Sequence, residues 1–134
     1  MTFAKEVTNF VLKAKGLQEK QVRFLCLELL KGVVLGTPVD KRPARGGRAR
    51  GNWQASISTA ASGTIDRKDP GGGATISAGK DAIQKAPGTV FYITNNLPYI
   101  YRLEFEGWSK QAPTGWVRTA VERTKQIAKQ MPRA

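Results

Sequence analysis

The side chains able to carry acid–base or nucleophilic chemistry are few in this chain, and their spacing suits it poorly. None of the 134 residues is a histidine, so no imidazole is present to act as general base, nucleophile partner or metal ligand. The one cysteine, Cys26, rules out a cysteine-rich zinc site and an internal disulfide. It sits in an apolar helical run, where a thiol is a small core hydrophobe more often than a nucleophile. Glu104 and Glu106 form the most suggestive carboxylate pair, because neighbouring acids can have their pKa values driven apart into an acid and a base. At i,i+2, however, they face opposite sides of a strand, or stand roughly 200° apart on a helix. Salt bridges to Arg or Lys suit them better than paired catalysis.

The stretch GGGATISAGKD at 71–81 has the look of a phosphate-binding loop, but it does not meet the requirements. A Walker loop needs glycine six places before its lysine, where this chain has Ala74, and Ser or Thr after it, where this chain has Asp81. A basic cluster is more telling. Residues 41–50 hold Lys41, Arg42, Arg45, Arg48 and Arg50 with no acid, in a chain of net charge +12. Beside Gly46 and Gly47 they suit a phosphate backbone or an acidic protein surface, since glycine permits close approach and arginine binds anions through two donors. No stacking aromatic is interleaved with them, which argues against a single-strand binder and against readout of base sequence. The rest of the excess, seven Lys/Arg against three acids after residue 88, reads as solvated surface.

The elements that must position these groups belong to one domain, large enough to bury a modest core without staples. No apolar run approaches the roughly 18 residues of a membrane span. The start MTFAKEVTNF lacks the basic-then-apolar layout of a signal peptide, so the expected setting is a cytoplasm or a particle assembled in one. Thr2 is placed to cap a first helix with Phe3, Val7, Phe10, Val11 and Ala14 on one stripe and Gly16 as its stop. A second helix, about Leu17 to Leu35, carries Val22, Leu25, Cys26, Leu29 and Val33 in one stripe, and Phe24, Leu27, Leu30 and Val34 widen it. Gly36 and Pro38 end it. A helix apolar over so much of its circumference is either central to the core or meets a neighbouring subunit with its second face.

Residues 37–52, rich in Gly, Pro and Arg, read as a mobile basic loop. Trp53 to Thr59 alternates as a half-buried strand with Trp53 facing the core. After a second loop at 66–73, Ala74 to Ala86 reads as a short helix and Thr89 to Thr94 as a strand. Residues 99–106 fit a strand or a short helix, with Tyr99/Leu103 and Ile100/Glu104 favouring helix. Thr114 is placed to cap a last helix whose stripe is Val117, Ala120, Val121, Thr124, Ile127, Ala128 and Met131, with Arg118 and Glu122 paired on its other face. Pro132 marks its end. The fold class is α+β, N-terminal helices and a C-terminal helix packed on a small β-sheet, in a single domain over residues 1–134.

Several short runs follow one another in order: Thr37-Pro38-Val39-Asp40; Gly47-Arg48-Ala49-Arg50 leading to Trp53; Asn95-Asn96-Leu97-Pro98-Tyr99; Leu103-Glu104; and Gln111-Ala112-Pro113-Thr114-Gly115. Taken together, over roughly residues 20 to 131, they resemble the neck or tail-completion proteins of tailed bacteriophages, the minor tail protein Z-like family. One departure matters. That family passes almost directly from Val-Asp to Thr-Gly-Arg, whereas here Lys41 to Arg45 is inserted and Gly46 stands in place of Thr, so a tight turn becomes a longer basic loop.

The resemblance implies a non-enzymatic α+β subunit with no cofactor, assembled as a ring at the head–tail junction of the virion after synthesis in the host cytoplasm. Its partners would be copies of itself, head-side connector and tail proteins, and viral DNA in the channel. Leu27 and Leu30 are then expected at a subunit contact. Tyr101, Glu104, Glu106 and Trp108 are expected on a docking surface, and Lys41, Arg42, Arg45, Arg48 and Arg50 against DNA or an acidic partner. The rival reading is a basic, non-specific nucleic-acid-binding or packaging protein, which would bind DNA tightly alone with steep salt dependence. A nuclease or hydrolase is disfavoured by the missing histidine and the scattered carboxylates.

Overall fold

The core is organised around one helix. In the computed structural model, which describes residues 10–12, 17–40, 46–85 and 91–132, helix α1 spans Glu19–Gly36. Its first turn is closed by Gln21, whose side-chain oxygen accepts the Gln18 N–H at 2.9 Å. It stops at Gly36, with Thr37 as C-cap and Pro38 beyond, as the sequence predicts. Val22, Leu25, Cys26, Leu29, Leu30, Val33 and Val34 are all buried, so the wide apolar surface marks a central helix. Helix α3 (Gly73–Lys85) packs on one side of it and helix α5 (Val117–Gln130) on the other, and α3 also covers strand β2 (Gln54–Ile57). Gly79 lets α3 approach so closely that a Cβ there would collide with the side chain of Leu30. Leu30 is fully buried in this contact, which corrects its assignment to a subunit interface.

Among the described residues the sheet has three antiparallel strands in the order β1 (Phe10–Leu12), β3 (Phe91–Thr94), β2. Phe10 pairs with Ile93 and Leu12 with Phe91 on one edge of β3, and Gln54 pairs with Thr94 and Ile57 with Phe91 on the other. Phe91 and Ile93, two apart, both point into the core, as period-2 alternation requires. Residues 10–12 therefore belong to a strand and not to the first helix expected there. Their helical spacing is short enough to fit either element, and the open edge of β3 decides the case by offering ladder hydrogen bonds. The rest of that expected helix lies outside the described residues.

Two short helices complete the layout, α2 (Arg48–Gly51) and α4 (Ile100–Phe105). Helix α4 resolves the strand-or-helix ambiguity at 99–106 in the direction the spacing favours. Helix α2 falls within the expected loop 37–52, so the described part of that segment is structured. Trp53 is 1% exposed, and its indole N–H donates to the Thr37 hydroxyl at 2.7 Å. Trp116 is buried too, and its indole N–H donates to the Val33 carbonyl at 3.0 Å. The architecture is α+β, with the C-terminal helix against the central one.

Candidate functional site

The runs that stand apart in sequence meet in space, and backbone-directed side chains join them. Gln111 holds Val39 through a paired contact: its Nε2 donates to the Val39 carbonyl at 2.7 Å, and its Oε1 accepts the Val39 N–H at 3.1 Å. Asn95 donates to the Ala49 carbonyl at 2.9 Å, tying the end of β3 to α2. Arg50 donates through Nη2 to the carbonyls of Leu35 and Thr37 at 2.9 Å each, and through Nη1 to Pro70 at 2.6 Å. It thus caps the carbonyl end of α1, where a cation is favoured by the helix dipole. That commitment corrects its assignment as a DNA or partner contact. Its donors face the protein's own backbone.

Glu104 is the most heavily used side chain of the block. It is 1% exposed, and its carboxylate accepts the backbone N–H groups of Trp116 at 2.6 Å, Val117 at 2.9 Å and Arg118 at 2.9 Å. Arg118 Nε adds a fourth donor at 2.9 Å. These N–H groups are the unpaired donors that begin α5, so Glu104 caps that helix from another element. Thr114, expected as the cap, makes no side-chain capping bond. Glu104 pairs with Arg118 in place of the expected Arg118–Glu122 pair, and Glu122 lies instead 3.8 Å from Lys125. Gly115 makes the close approach possible: its φ is +87°, and a Cβ there would strike the Glu104 carboxylate and carbonyl. A buried, fully engaged Glu104 is not a docking residue, contrary to expectation.

Beside this scaffold lies an open groove of about 740 Å³, lined by residues 38–40 and 47–49 on one side and by residues from 99 to 111 on the other. Pro38, Val39, Ala49 and Leu103 give it apolar lining, Tyr99 and Trp108 aromatic walls, and Asp40, Arg48 and Lys110 charge. Trp108 is 56% exposed, with the Arg102 guanidinium 4.6 Å from its ring centre. Burial raises the Tyr99 phenol above its ordinary pKa, while Arg48 lowers it and Asp40 raises it further, so both charges lie near that ring. Next to the groove, Phe105 is 39% exposed, with Tyr101 packed at 5.0 Å between ring centres and Arg118 over its face at 4.2 Å.

Of the residues singled out from sequence, the structure brings Arg48 and Trp108 to this groove and leaves both exposed. Tyr101 is half-buried on α4, and Glu106 is exposed just past it. Leu27 is half-buried on α1, beside a smaller groove of about 300 Å³ that it lines with Phe24, Lys80 and Ile83. Lys41, Arg42 and Arg45 lie outside the described residues. Cys26 is buried, and burial pushes its thiol pKa up to about 12, which fits an inert core residue. Sequence reasoning left Arg102 and Gln111 without roles and gave Arg118 the wrong partner. Gln111 and Glu104 carried a signal in their ordered runs, but the contacts they make are too distant in sequence to read. No protein-family model matches the chain, and no curated protein or solved structure matches it significantly.

Proposed function

We propose that this chain is a structural, non-enzymatic subunit of a tailed-phage neck, which forms a ring and helps join the DNA-filled head to the tail. The observation that carries this reading is the convergence of the runs behind the family resemblance. Thr37 to Asp40, Arg48 to Trp53, Asn95 to Glu104 and Gln111 to Gly115 form one hydrogen-bonded unit, with Val39 held by Gln111, Ala49 by Asn95 and Trp116 by Glu104. That unit presents a groove with an exposed tryptophan, a side chain favoured at the centre of protein interfaces. Phe24 and Leu35, 47% and 52% exposed, stand about three turns apart on one side of α1 and offer a second apolar contact of the kind a ring needs.

A phage genome with a stop codon in this reading frame tests the proposal by electron microscopy. The expected lysate holds filled heads and complete tails that remain unjoined, and purified protein restores joining in vitro. Joined particles in the mutant lysate would refute the neck role. Empty heads in place of filled ones would favour a packaging protein.

A further inference from the structure

The groove beside Trp108 carries two exposed cations, Arg48 and Lys110, against one acid, Asp40, above an apolar floor, and its walls are held in place before any ligand arrives. The paired bonds between Gln111 and Val39 join one wall to the other, so little ordering is left for binding to impose. We infer that this groove receives an extended acidic segment of a different protein, with apolar side chains seated between Tyr99 and Trp108 and carboxylates met by Arg48 and Lys110.

Charge complementarity selects that occupant. Arg48 and Lys110 are both exposed in the groove, and the chain as a whole carries +12. A second copy of this chain is a poor fit, because its own acids are largely used internally. Glu19 pairs with Arg23, Glu28 with Lys31, Glu104 with Arg118 and Glu122 with Lys125. The other exposed acids, Asp40, Asp66, Asp81 and Glu106, lie on four different segments. The one acidic and apolar run, Leu103 to Glu106, is largely helical with Glu104 buried, so no described stretch offers an extended acidic and apolar segment. Nucleic acid fits less well, because one face of Trp108 is covered by Arg102, which obstructs the stacking of a base on it. That the segment belongs to a head or tail protein rests on the neck reading. The chemistry of the groove does not.

The test is fluorescence anisotropy of a labelled peptide in which glutamates alternate with phenylalanine and leucine, titrated with the full chain. The peptide should bind at low salt, and its counterpart with lysine for glutamate should not. Arg48→Ser and Trp108→Ala should each weaken binding about tenfold, the loss of one charge-assisted hydrogen bond or one aromatic anchor. Lys125→Ser removes the same charge from α5 and should leave binding unchanged, while circular dichroism verifies that each variant is folded. Equal weakening in Lys125→Ser would reduce the effect to general charge attraction and overturn the assignment, as would failure of the peptide to bind. Oligothymidylate that binds more tightly than the peptide and depends on Arg48 and Trp108 would make the groove a nucleic-acid surface. Self-association lost in both groove variants would give it to a second copy. Peptide binding as expected, with normal joining in the stop-codon phage, would refute the neck role and leave this assignment standing.

Discussion

Replacing Glu104 tests whether one buried carboxylate holds the C-terminal helix to the rest of the domain. In Glu104→Ala the N–H groups of Trp116 and Val117 lose their acceptor in a buried setting, and that of Arg118 in a half-buried one. Two buried donors left unsatisfied, together with the lost charge-assisted bonds, come to about 3–5 kcal/mol. A domain of this size has about 5–15 kcal/mol in all, so the variant should melt roughly 10–20 °C lower. Arg118→Met removes only an exposed partner, with a side chain 57% accessible against 0% for Glu104. It leaves the three backbone donors in place and should cost less than about 1 kcal/mol. Urea denaturation followed by tryptophan fluorescence measures both, since the indole of Trp116 lies at the affected junction. A Glu104→Ala variant within about 1 kcal/mol of wild type, or an equal loss in Arg118→Met, would refute the capping argument.

Two further outcomes follow from the same packing. Leu30→Ala should cost about 2–5 kcal/mol as a buried cavity, and Leu27→Ala, half-buried at a surface groove, well under half of that; equal losses in denaturant titrations would refute the division of α1 into a core face and a free one. For Asp69, partial burial opposes ionisation, but the Thr75 hydroxyl and N–H, the Gly72 N–H and the charge of Arg67 outweigh it and hold the carboxyl below its ordinary value of 3.8. With the folded pKa lowered, its contribution is complete above the unfolded value and is lost as pH falls through the folded one, so Asp69→Asn should narrow the stability gap to wild type only in the acid range. A gap that stays constant down to pH 2 would show that the charge of Asp69 contributes nothing.

What could be read from the residues in order was what depends on near neighbours. The α1 stripe, its stop at Gly36, the α3 and α5 helices and the inward turn of Trp53 all follow from spacing and from local breakers, and all stand in the structure. Local signals also misled. Thr114 sits where a cap is expected, yet the cap comes from Glu104, twelve residues before the nearest N–H it accepts. Phe10 and Val11 belong to a helical stripe that the edge of β3 overrides. The free surface was the least legible part, because exposure is what remains after long-range contacts are made.

Sequence by itself determined the α+β class, the wide apolar surface of α1 and the absence of any histidine, because residue type and short spacing suffice for each. Only the tertiary structure decided which charged groups stay available. Arg48 and Arg50 are near neighbours of the same type in one basic run, yet Arg48 faces a groove while Arg50 is held by three backbone carbonyls. Glu104 and Glu106 divide in the same way, one buried under the start of α5 and the other in solvent. The reason is that a charge is placed by whatever unpaired backbone polar groups the folded chain brings beside it. Those groups are the carbonyls of Leu35, Thr37 and Pro70 and the first N–H groups of α5, which come beside Arg50 and Glu104 only when the chain folds.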